Sequence, residues 1–449
     1  MKKKENLLTL LIVLGLALGA IVGQFLLYDS SLSEEALRSA ARPWQTAGEV
    51  IFIRPLMMMI VPLVFISVAV GVASIGNPQK LGVVGGATVL FYLGTMAMAV
   101  ALGLTLVSLI KPGVGVDEST LLSSGVSAFE SGGISERIAG GPSDVGGSFI
   151  GLIYSMVPNN FLQAAVEGNT LPVVVGGIVI GLALVLGGEK CKITIQVLEG
   201  AFEALIKLVM WIIWLAPLGI FFIVAGRVGQ VGLANLVGPL GWYVLTVVVG
   251  LLIHATVLLP IVLRLLGKTN PYQFMWNVRK VIITAFSTAS STATLPVTLE
   301  ECQASGGCSK RATNFVIPLG ATINMDGTAL YQAVAVVFLF QMLDFDLTLG
   351  QMIIILVTAT LAAVGAAGIP SAGLITMAIV INAVNASLSA VGGEGARTLP
   401  MYTVGIILGV DRVLDMCRTA VNVWGDCIGA KVISRLAPDD EEEREKALA

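Results

Sequence analysis

A chain of 449 residues in which 56% are hydrophobic and only 12% charged, with a mean hydropathy of +0.90, is excluded from the soluble enzymes, which carry about twice that charged fraction. It reads as a polytopic membrane protein. A net charge of -3 without a basic patch gives no sign of a nucleic-acid partner, and one histidine, His254, excludes multi-histidine metal sites and argues against a Ser-His triad.

The amino terminus, MKKKEN followed by an apolar run over residues 7–27, has the outline of a signal peptide. The run is longer than such a segment needs, so the expectation is an uncleaved first transmembrane helix with Lys2, Lys3 and Lys4 in the cytoplasm. Long apolar segments follow at 44–75, 81–110, 148–187, 195–228 and 233–266. Several exceed the roughly 20 residues that span a bilayer, which predicts tilts, kinks or breaks, with Pro55, Pro62, Pro158 and Pro172 as candidates. Residues 112–147, rich in Gly and Ser, read as an external loop. Lys268, Arg279 and Lys280 fall on the cytoplasmic side after the sixth span, as the positive-inside rule prefers. The 51 glycines suit close helix contacts in lipid. Cys302 and Cys308 flank a Gly-Ser loop, and the cysteines show no metal-ligand spacing.

Beyond Gly267 the pattern changes. Residues 281–299 carry Thr284, Ser287, Thr288, Ser290, Ser291, Thr292, Thr294 and Pro296, too polar and broken for an ordinary span. Residues 315–342 form an apolar run interrupted by Asn324, Asp326, Gly327 and Thr328. The theme repeats: 350–385 is apolar but broken by Gly365, Gly368, Pro370, Ser371 and Gly373, and a polar-faced helix follows. Two copies of a broken apolar segment followed by a helix with polar residues are the trace of an inverted repeat, which points to a substrate site at mid-membrane. Two kinked ordinary spans would be the plain alternative.

In the last helix Asp411, Asp415, Arg418, Thr419, Asn422 and Asp426 fall within an arc of roughly 100°. Val413, Leu414, Cys417, Val421, Trp424 and Ile428 lie opposite. A charge at bilayer centre costs about 2.5–3.5 kcal/mol, so this face meets protein, a cavity or a ligand. The alternative is a self-neutralising structural ion network. The Asp326-Gly327 pair allows local unwinding, and the carbonyls freed near Asn324 and Met325, with the Asn324 and Asp326 side chains, make a hard oxygen cage suited to Na⁺; a buried Asp satisfied by an arginine is the competing reading.

The Ser-rich tip STASSTATLP (287–296), ATINMDGTALYQ (321–332), AAGIPSAG (366–373) and DRVLDMCRTAVNVWGD (411–426) occur in this order. Together they closely resemble the dicarboxylate/amino acid:cation symporter family, which includes the excitatory amino acid transporters. The resemblance implies an all-α membrane fold of eight transmembrane helices and two re-entrant helical hairpins, assembled as a homotrimer working by an elevator mechanism in the cell (inner) membrane, with both termini cytoplasmic. Scaffold helices one and two would occupy 1–76 and helices four and five 148–228. The mobile transport domain would take helix three (80–111), helix six (233–267), hairpin one (271–304), helix seven (311–342), hairpin two (349–390) and helix eight (396–436). A charged tail, 437–449, ends the chain.

Carried onto matching positions, the resemblance puts Arg418 on the substrate side-chain carboxylate, with Thr328 and the Gly373 amide nearby. Asp415, Thr419 and the Ile369 carbonyl would hold the α-amino group, and Asn422 and Ser291 the α-carboxylate. Guanidinium is the fork-shaped partner of a carboxylate, and Asp suits an ammonium. Na⁺, the coupling ion in a protein needing no cofactor, would sit at Gly320, Asn324, Asn422 and Asp426; at Thr322, Met325 and hairpin-two backbone; and at Tyr92, Thr95, Asn324 and Asp326. Ala289 and Met416 stand where relatives often carry an arginine, Met96 where a serine is common, Cys417 where glycine is frequent, and Gln332 where the animal transporters have a proton-carrying glutamate, which argues against proton countertransport.

The leading expectation is a Na⁺-coupled symporter of aspartate or glutamate. Its rivals are a proton- or Na⁺-coupled C4-dicarboxylate carrier of the same family, for which Asp415 would have no ammonium to meet, and an anion-selective channel. No nucleophile-base pair supports an intramembrane hydrolase.

Overall fold

The computed structural model describes residues 2–29, 31–75, 78–115, 157–166, 170–231, 240–364, 372–392 and 397–439. Most of the expected external loop, the tip of the second expected hairpin (365–371, with Ile369) and the end of the charged tail lie outside them. The described residues are helical almost throughout and include no strand.

Helix α1 (Lys2–Val22) runs on through a π turn, Gly23–Leu27. Helix α2 (Glu34–Gly48) begins behind Ser33, whose hydroxyl accepts from the Ala36 amide, and passes through a second π turn, Glu49–Ile53, into α3 (Arg54–Ile75). The helix expected from residue 44 therefore starts a good ten residues earlier. The π turn sits just ahead of Pro55, which has no N–H for the carbonyl four residues back. Helix α4 (Pro78–Ile110) is followed by α5 (Thr170–Leu186), α6 (Lys192–Ile213) and α7 (Ala216–Val231), with a 55° bend between the last two. Helix α8 (Gly241–Ile253) continues through π turns at His254–Leu258 and Leu263–Gly267. Pro260 deprives the Thr256 carbonyl of its helical donor, and the Tyr272 hydroxyl donates to it instead at 3.0 Å.

Helices α9 (Arg279–Thr288) and α10 (Ser291–Ala304) form a hairpin about Ala289, which is left-handed (φ 49°, ψ 37°). Ser290 caps α10, accepting from the Ala293 amide at 3.2 Å. The arms are joined near the tip by the Thr288 and Thr294 hydroxyls, 3.0 Å apart. Further down, Lys280 Nζ donates to Glu301 Oε1 at 2.7 Å, with both side chains buried. Lys280, which the charge pattern had grouped with the cytoplasmic basic residues, is thus spent on holding the hairpin together. Then come α11 (Lys310–Ile323), α12 (Asp326–Met342), α13 (Leu349–Val364) and α14 (Ala372–Gly392). A 3-10 segment, Met401–Ile407, leads into α15 (Leu408–Ile433), so the expected helix from 396 is α-helical only from Leu408.

Helices α1 and α2 pack on α7, and α3 on α5 and α6. Gly15 and Gly19 of α1 and Gly23 of the π turn after it lie against the backbone of Pro217, Phe221 and Ala225 in α7, the close approach that four-residue glycine spacing permits in lipid. At the centre α4 packs on α12, while α9, α11 and α12 surround α15. Large apolar side chains remain exposed on the outside, including Leu10, Leu14, Leu18 and Phe25 on the first helix and Leu349, Ile353, Val357 and Leu361 at four-residue steps on α13. Such faces call for lipid or another chain, not water. Among the described residues four stretches, Leu10–Leu27, Leu81–Ile110, Gly241–Gly267 and Lys310–Met342, are long and apolar enough to cross a membrane, or five if the bent pair formed by α6 and α7 is one span. Helix α15 falls outside that count because of its charges.

Candidate functional site

The site is built where the α11–α12 rod breaks against α15. The rod leaves helical geometry at Asn324 (φ -86°, ψ 93°) and Met325 (φ -119°, ψ 50°) and resumes at Asp326. Asn422 of α15 holds this break. Its Oδ1 accepts from the Gly327 amide at 2.7 Å and the Thr328 amide at 3.4 Å, capping the new helix from outside. Its Nδ2 donates to Thr328 Oγ1 (3.2 Å) and faces Met325 Sδ (3.3 Å), and its carbonyl accepts from Asn324 Nδ2. A Cβ on Gly327 would lie 2.6 Å from the Arg418 carbonyl oxygen, so only glycine lets the two backbones meet here. The Asn422 amide, expected on substrate and Na⁺, is engaged with α12.

One turn earlier on α15, Arg418 is fully buried. Its Nη2 donates to Asp415 Oδ1 at 2.7 Å and Asp411 Oδ1 at 3.0 Å, and its guanidinium carbon lies 3.8 Å from the centre of the Tyr331 ring. The Tyr331 hydroxyl donates to the same Asp411 oxygen at 3.0 Å. Two carboxylates and an aromatic face thus fix the guanidinium plane, while Nε and Nη1 are buried without a hydrogen-bond partner. A Cβ on Gly373 would lie 3.3 Å from that Nη1 and 2.9 Å from Thr328 Cγ2, so Gly373 and Thr328 border the unpartnered donors. Gln332 anchors α14 there, its Nε2 donating to the Gly373 carbonyl (3.0 Å) and to Thr376 Oγ1 (2.5 Å). Buried guanidinium donors without a partner are suited to a carboxylate.

One turn later on α15 lies a second, oxygen-rich group. Asn324 Nδ2 donates to Asp426 Oδ1 at 2.9 Å, which leaves Asn324 Oδ1 buried and unpartnered. Asp326 Oδ2 is 3.2 Å from His254 Nε2, and its Oδ1 is likewise buried and unpartnered. Asp426 Oδ1 and the Tyr92 hydroxyl both crowd the point where Gly320 would carry a Cβ. Orphaned acceptors with no donor to spare suit a hard cation bound through oxygen. Tyr92 donates to the Val316 carbonyl at 2.9 Å, and Thr95 and Thr322 donate to carbonyls of their own helices, which leaves their oxygens able to accept. Met96 Sδ faces the Met325 amide at 3.4 Å, filling the place the resemblance reserved for a serine.

Of the expected substrate residues, the structure brings Thr328, Gly373, Asp415, Arg418, Thr419 and Asn422 into one neighbourhood, with the Thr419 hydroxyl donating to the Asp415 carbonyl at 2.8 Å. Ser291 is buried in the first turn of α10. Asn324, Asp326, Gly320, Tyr92 and Asp426 form the second neighbourhood. Three participants escaped the sequence reading. Asp411 was on the polar face without a role, Tyr331 lay within the 321–332 motif without one, and His254 was used only to exclude chemistry. An ionisable residue inside an apolar segment is itself a signal of function, and that rule would have marked His254.

The opposite face of α15 is no lipid face: Leu414, Val421, Trp424 and Ile428 are buried, and Trp424 Nε1 donates to the Ala255 carbonyl at 3.0 Å. Among the described residues no group of three His, Cys, Asp or Glu side chains is placed to hold a metal ion by itself; the oxygen group above relies on amide, hydroxyl and backbone atoms.

Comparison with known proteins agrees in extent and kind. The chain is 34% identical over 489 residues to excitatory amino acid transporter 3 of Oryctolagus cuniculus, covering 98% of this chain and 87% of the relative. It is 35% identical over 480 residues to an excitatory amino acid transporter of Caenorhabditis elegans (99% and 91% covered). It is also 36% identical over 463 residues to neutral amino acid transporter B(0) of Homo sapiens (96% and 80% covered). With residues 8–436 matching its model, this multi-pass membrane protein belongs to the sodium:dicarboxylate symporter family.

Proposed function

We propose that the protein is a secondary active, Na⁺-coupled symporter of acidic amino acids, aspartate or glutamate. The observation that carries this reading is the pair of unpartnered guanidinium donors of Arg418, buried beside Gly373 and Thr328. A neutral side chain would leave those donors orphaned, at a cost comparable to losing a charged hydrogen bond, so the neutral amino acids named for one relative are the poorer fit.

Charge balance supports the coupling. Asp326, Asp411, Asp415 and Asp426 are buried against one guanidinium, a formal excess of three negative charges. An acidic amino acid adds one more, and a dry site does not accept it without cations. Na⁺ held by Asn324, Asp326, Asp426, Tyr92 and neighbouring carbonyls would supply them, and no separate cofactor is needed. Each net positive charge carried inward gains about 2.3 kcal/mol per 100 mV. The working unit is a homotrimer in the cell (inner) membrane with cytoplasmic termini, its eight spans and two re-entrant hairpins divided into a scaffold and a moving transport domain. The exposed apolar faces and the basic amino end support this reading.

A C4-dicarboxylate carrier is the second reading, and one observation favours it. Asp415 pairs with Arg418 at 2.7 Å, so its carboxylate has a use even when the substrate carries no ammonium. Uptake of radiolabelled L-aspartate into proteoliposomes under imposed Na⁺ and H⁺ gradients, with succinate and L-serine as competitors, tests both. Na⁺-driven uptake blocked by L-glutamate and untouched by succinate is expected. Uptake that follows H⁺ alone refutes the coupling, and preference for succinate selects the second reading.

A further inference from the structure

Asp326 takes its hydrogen bond from a helix that carries none of the expected ligands. His254 Nε2 lies 3.2 Å from Asp326 Oδ2, both side chains are wholly buried, and the two residues are 72 positions apart. An ionised carboxylate only accepts, so the proton of this contact sits on Nε2. The backbone beside the imidazole is tied to α15. His254 opens the π turn His254–Leu258, and the next carbonyl, that of Ala255, accepts from Trp424 Nε1 of α15 at 3.0 Å. Beside that tryptophan, Gly425 keeps the space clear: a Cβ there would lie 2.8 Å from Asp326 Oδ2 and 2.7 Å from Asn324 Nδ2. With Oδ2 held, Oδ1 is the oxygen left buried and unpartnered.

We propose that His254 is a positioning residue of the cation site: by holding Asp326 Oδ2 it fixes the carboxylate with Oδ1 presented to Na⁺, and so sets how much Na⁺ is needed before substrate binds. The inference rests on the Na⁺-coupled reading above. Partners that orient a metal-binding carboxylate tune affinity without touching the ion. The Trp424 contact ties the backbone next to His254 to the helix that also bears Arg418.

The test is calorimetric aspartate titration of the full-length protein across a Na⁺ series, for wild type, His254→Leu, His254→Gln, Asp326→Asn and the His254→Leu/Asp326→Asn double variant. His254→Leu should raise the Na⁺ concentration for half-maximal aspartate binding by about tenfold or more, while aspartate affinity at saturating Na⁺ stays near wild type. His254→Gln, whose amide can donate to the same carboxylate, should recover most of the shift. In the Asp326→Asn background His254→Leu should add little, because the two act through one contact. Should His254→Leu fail to fold, His254→Asn, too short to reach Asp326, takes its place against His254→Gln. A Na⁺ midpoint unchanged in His254→Leu, a loss of aspartate affinity equal at all Na⁺ concentrations, or an undiminished effect in the Asp326→Asn background overturns the assignment. Wild-type binding that ignores Na⁺ overturns the coupled reading and this inference with it, an outcome told apart because loss of the His254 role alone leaves wild-type Na⁺ dependence intact.

Discussion

Replacing Arg418 tests the substrate assignment most directly. Its guanidinium is fully buried, held by Asp411 and Asp415 through Nη2, and stacked on Tyr331, so that Nε and Nη1 are the donors left for a ligand. Arg418→Cys removes a charge-assisted pair in a desolvated pocket, a loss of about 2–5 kcal/mol for aspartate. At 1.4 kcal/mol per decade that is roughly thirty- to several-thousand-fold in Kd. The same substitution empties volume beside Gly373 and Thr328, so L-serine and L-alanine should gain what aspartate loses. It also leaves Asp411 and Asp415 without their shared cation, which lowers stability by about 3–5 kcal/mol. Arg418→Lys is the companion variant, keeping a positive charge between the two carboxylates but losing the planar fork. Binding should be measured calorimetrically at saturating Na⁺ on protein shown by thermal unfolding to be folded, with radiolabelled serine uptake in parallel. If folded Arg418→Cys binds aspartate as wild type does, the guanidinium is not the recognition element and the substrate reasoning fails.

Asp426→Asn keeps an acceptor for Asn324 Nδ2, now at 2.9 Å, but removes a charge from the oxygen group; the Na⁺ midpoint for aspartate binding should rise about tenfold or more, with binding regained at high Na⁺ in the same titration. Lys280→Met strands Glu301, now bonded at 2.7 Å in a buried hairpin; a loss of about 3–5 kcal/mol should appear as a lower Tm, and the Lys280→Met/Glu301→Leu pair should recover most of it. Gln332→Glu replaces the Nε2 that donates to the Gly373 carbonyl and Thr376. Only the protonated acid can donate there, so aspartate binding should be strongest at low pH and fall as pH rises through the new carboxyl's titration, whereas wild type should show no such dependence from this position.

How much of this was legible in the sequence depends on whether the signal is local. The helical class, the break at Asn324 and the six-residue polar face all rest on neighbours within one or two turns, and helical periodicity projects them directly. The partners across helices do not project. Tyr331 sits in an apolar run where an aromatic reads as core, and only the fold brings its ring under Arg418. Lys280 followed the charge rule for loops, yet the hairpin turns it inward onto Glu301, twenty-one positions away. Helical periodicity places Asp411 and Asp415 on one face but not on one partner, and only the fold brings both to the same Arg418 Nη2. The start of α2 at Glu34 was hidden because its first turns are amphipathic and lie outside any apolar run.

The geometry of α15 gives the coupling a physical route. Arg418, Asn422 and Asp426 are one turn apart, so the proposed substrate donors, the amide that holds the break and the proposed cation carboxylate share a single rigid element. Asn324 touches the last two of these residues, donating to Asp426 Oδ1 and to the Asn422 carbonyl. Asn422 in turn holds the Gly327 and Thr328 amides, and Thr328 packs against Gly373 beside Arg418 Nη1. A cation that draws on Asn324 Oδ1 and Asp326 Oδ1 therefore acts on the same broken turn that sets Thr328 and Gly373. Were the two neighbourhoods on separate helices, occupancy of one would have to be relayed through packing. On the proposed assignment, a change at the break moves a ligand of each. Reciprocity follows from thermodynamics: whatever factor Na⁺ adds to aspartate affinity, aspartate must add to Na⁺ affinity. Because the contacts run through side-chain amides and not through the guanidinium, Arg418→Cys should abolish acidic selectivity yet leave the Na⁺ requirement for a bound neutral amino acid in place.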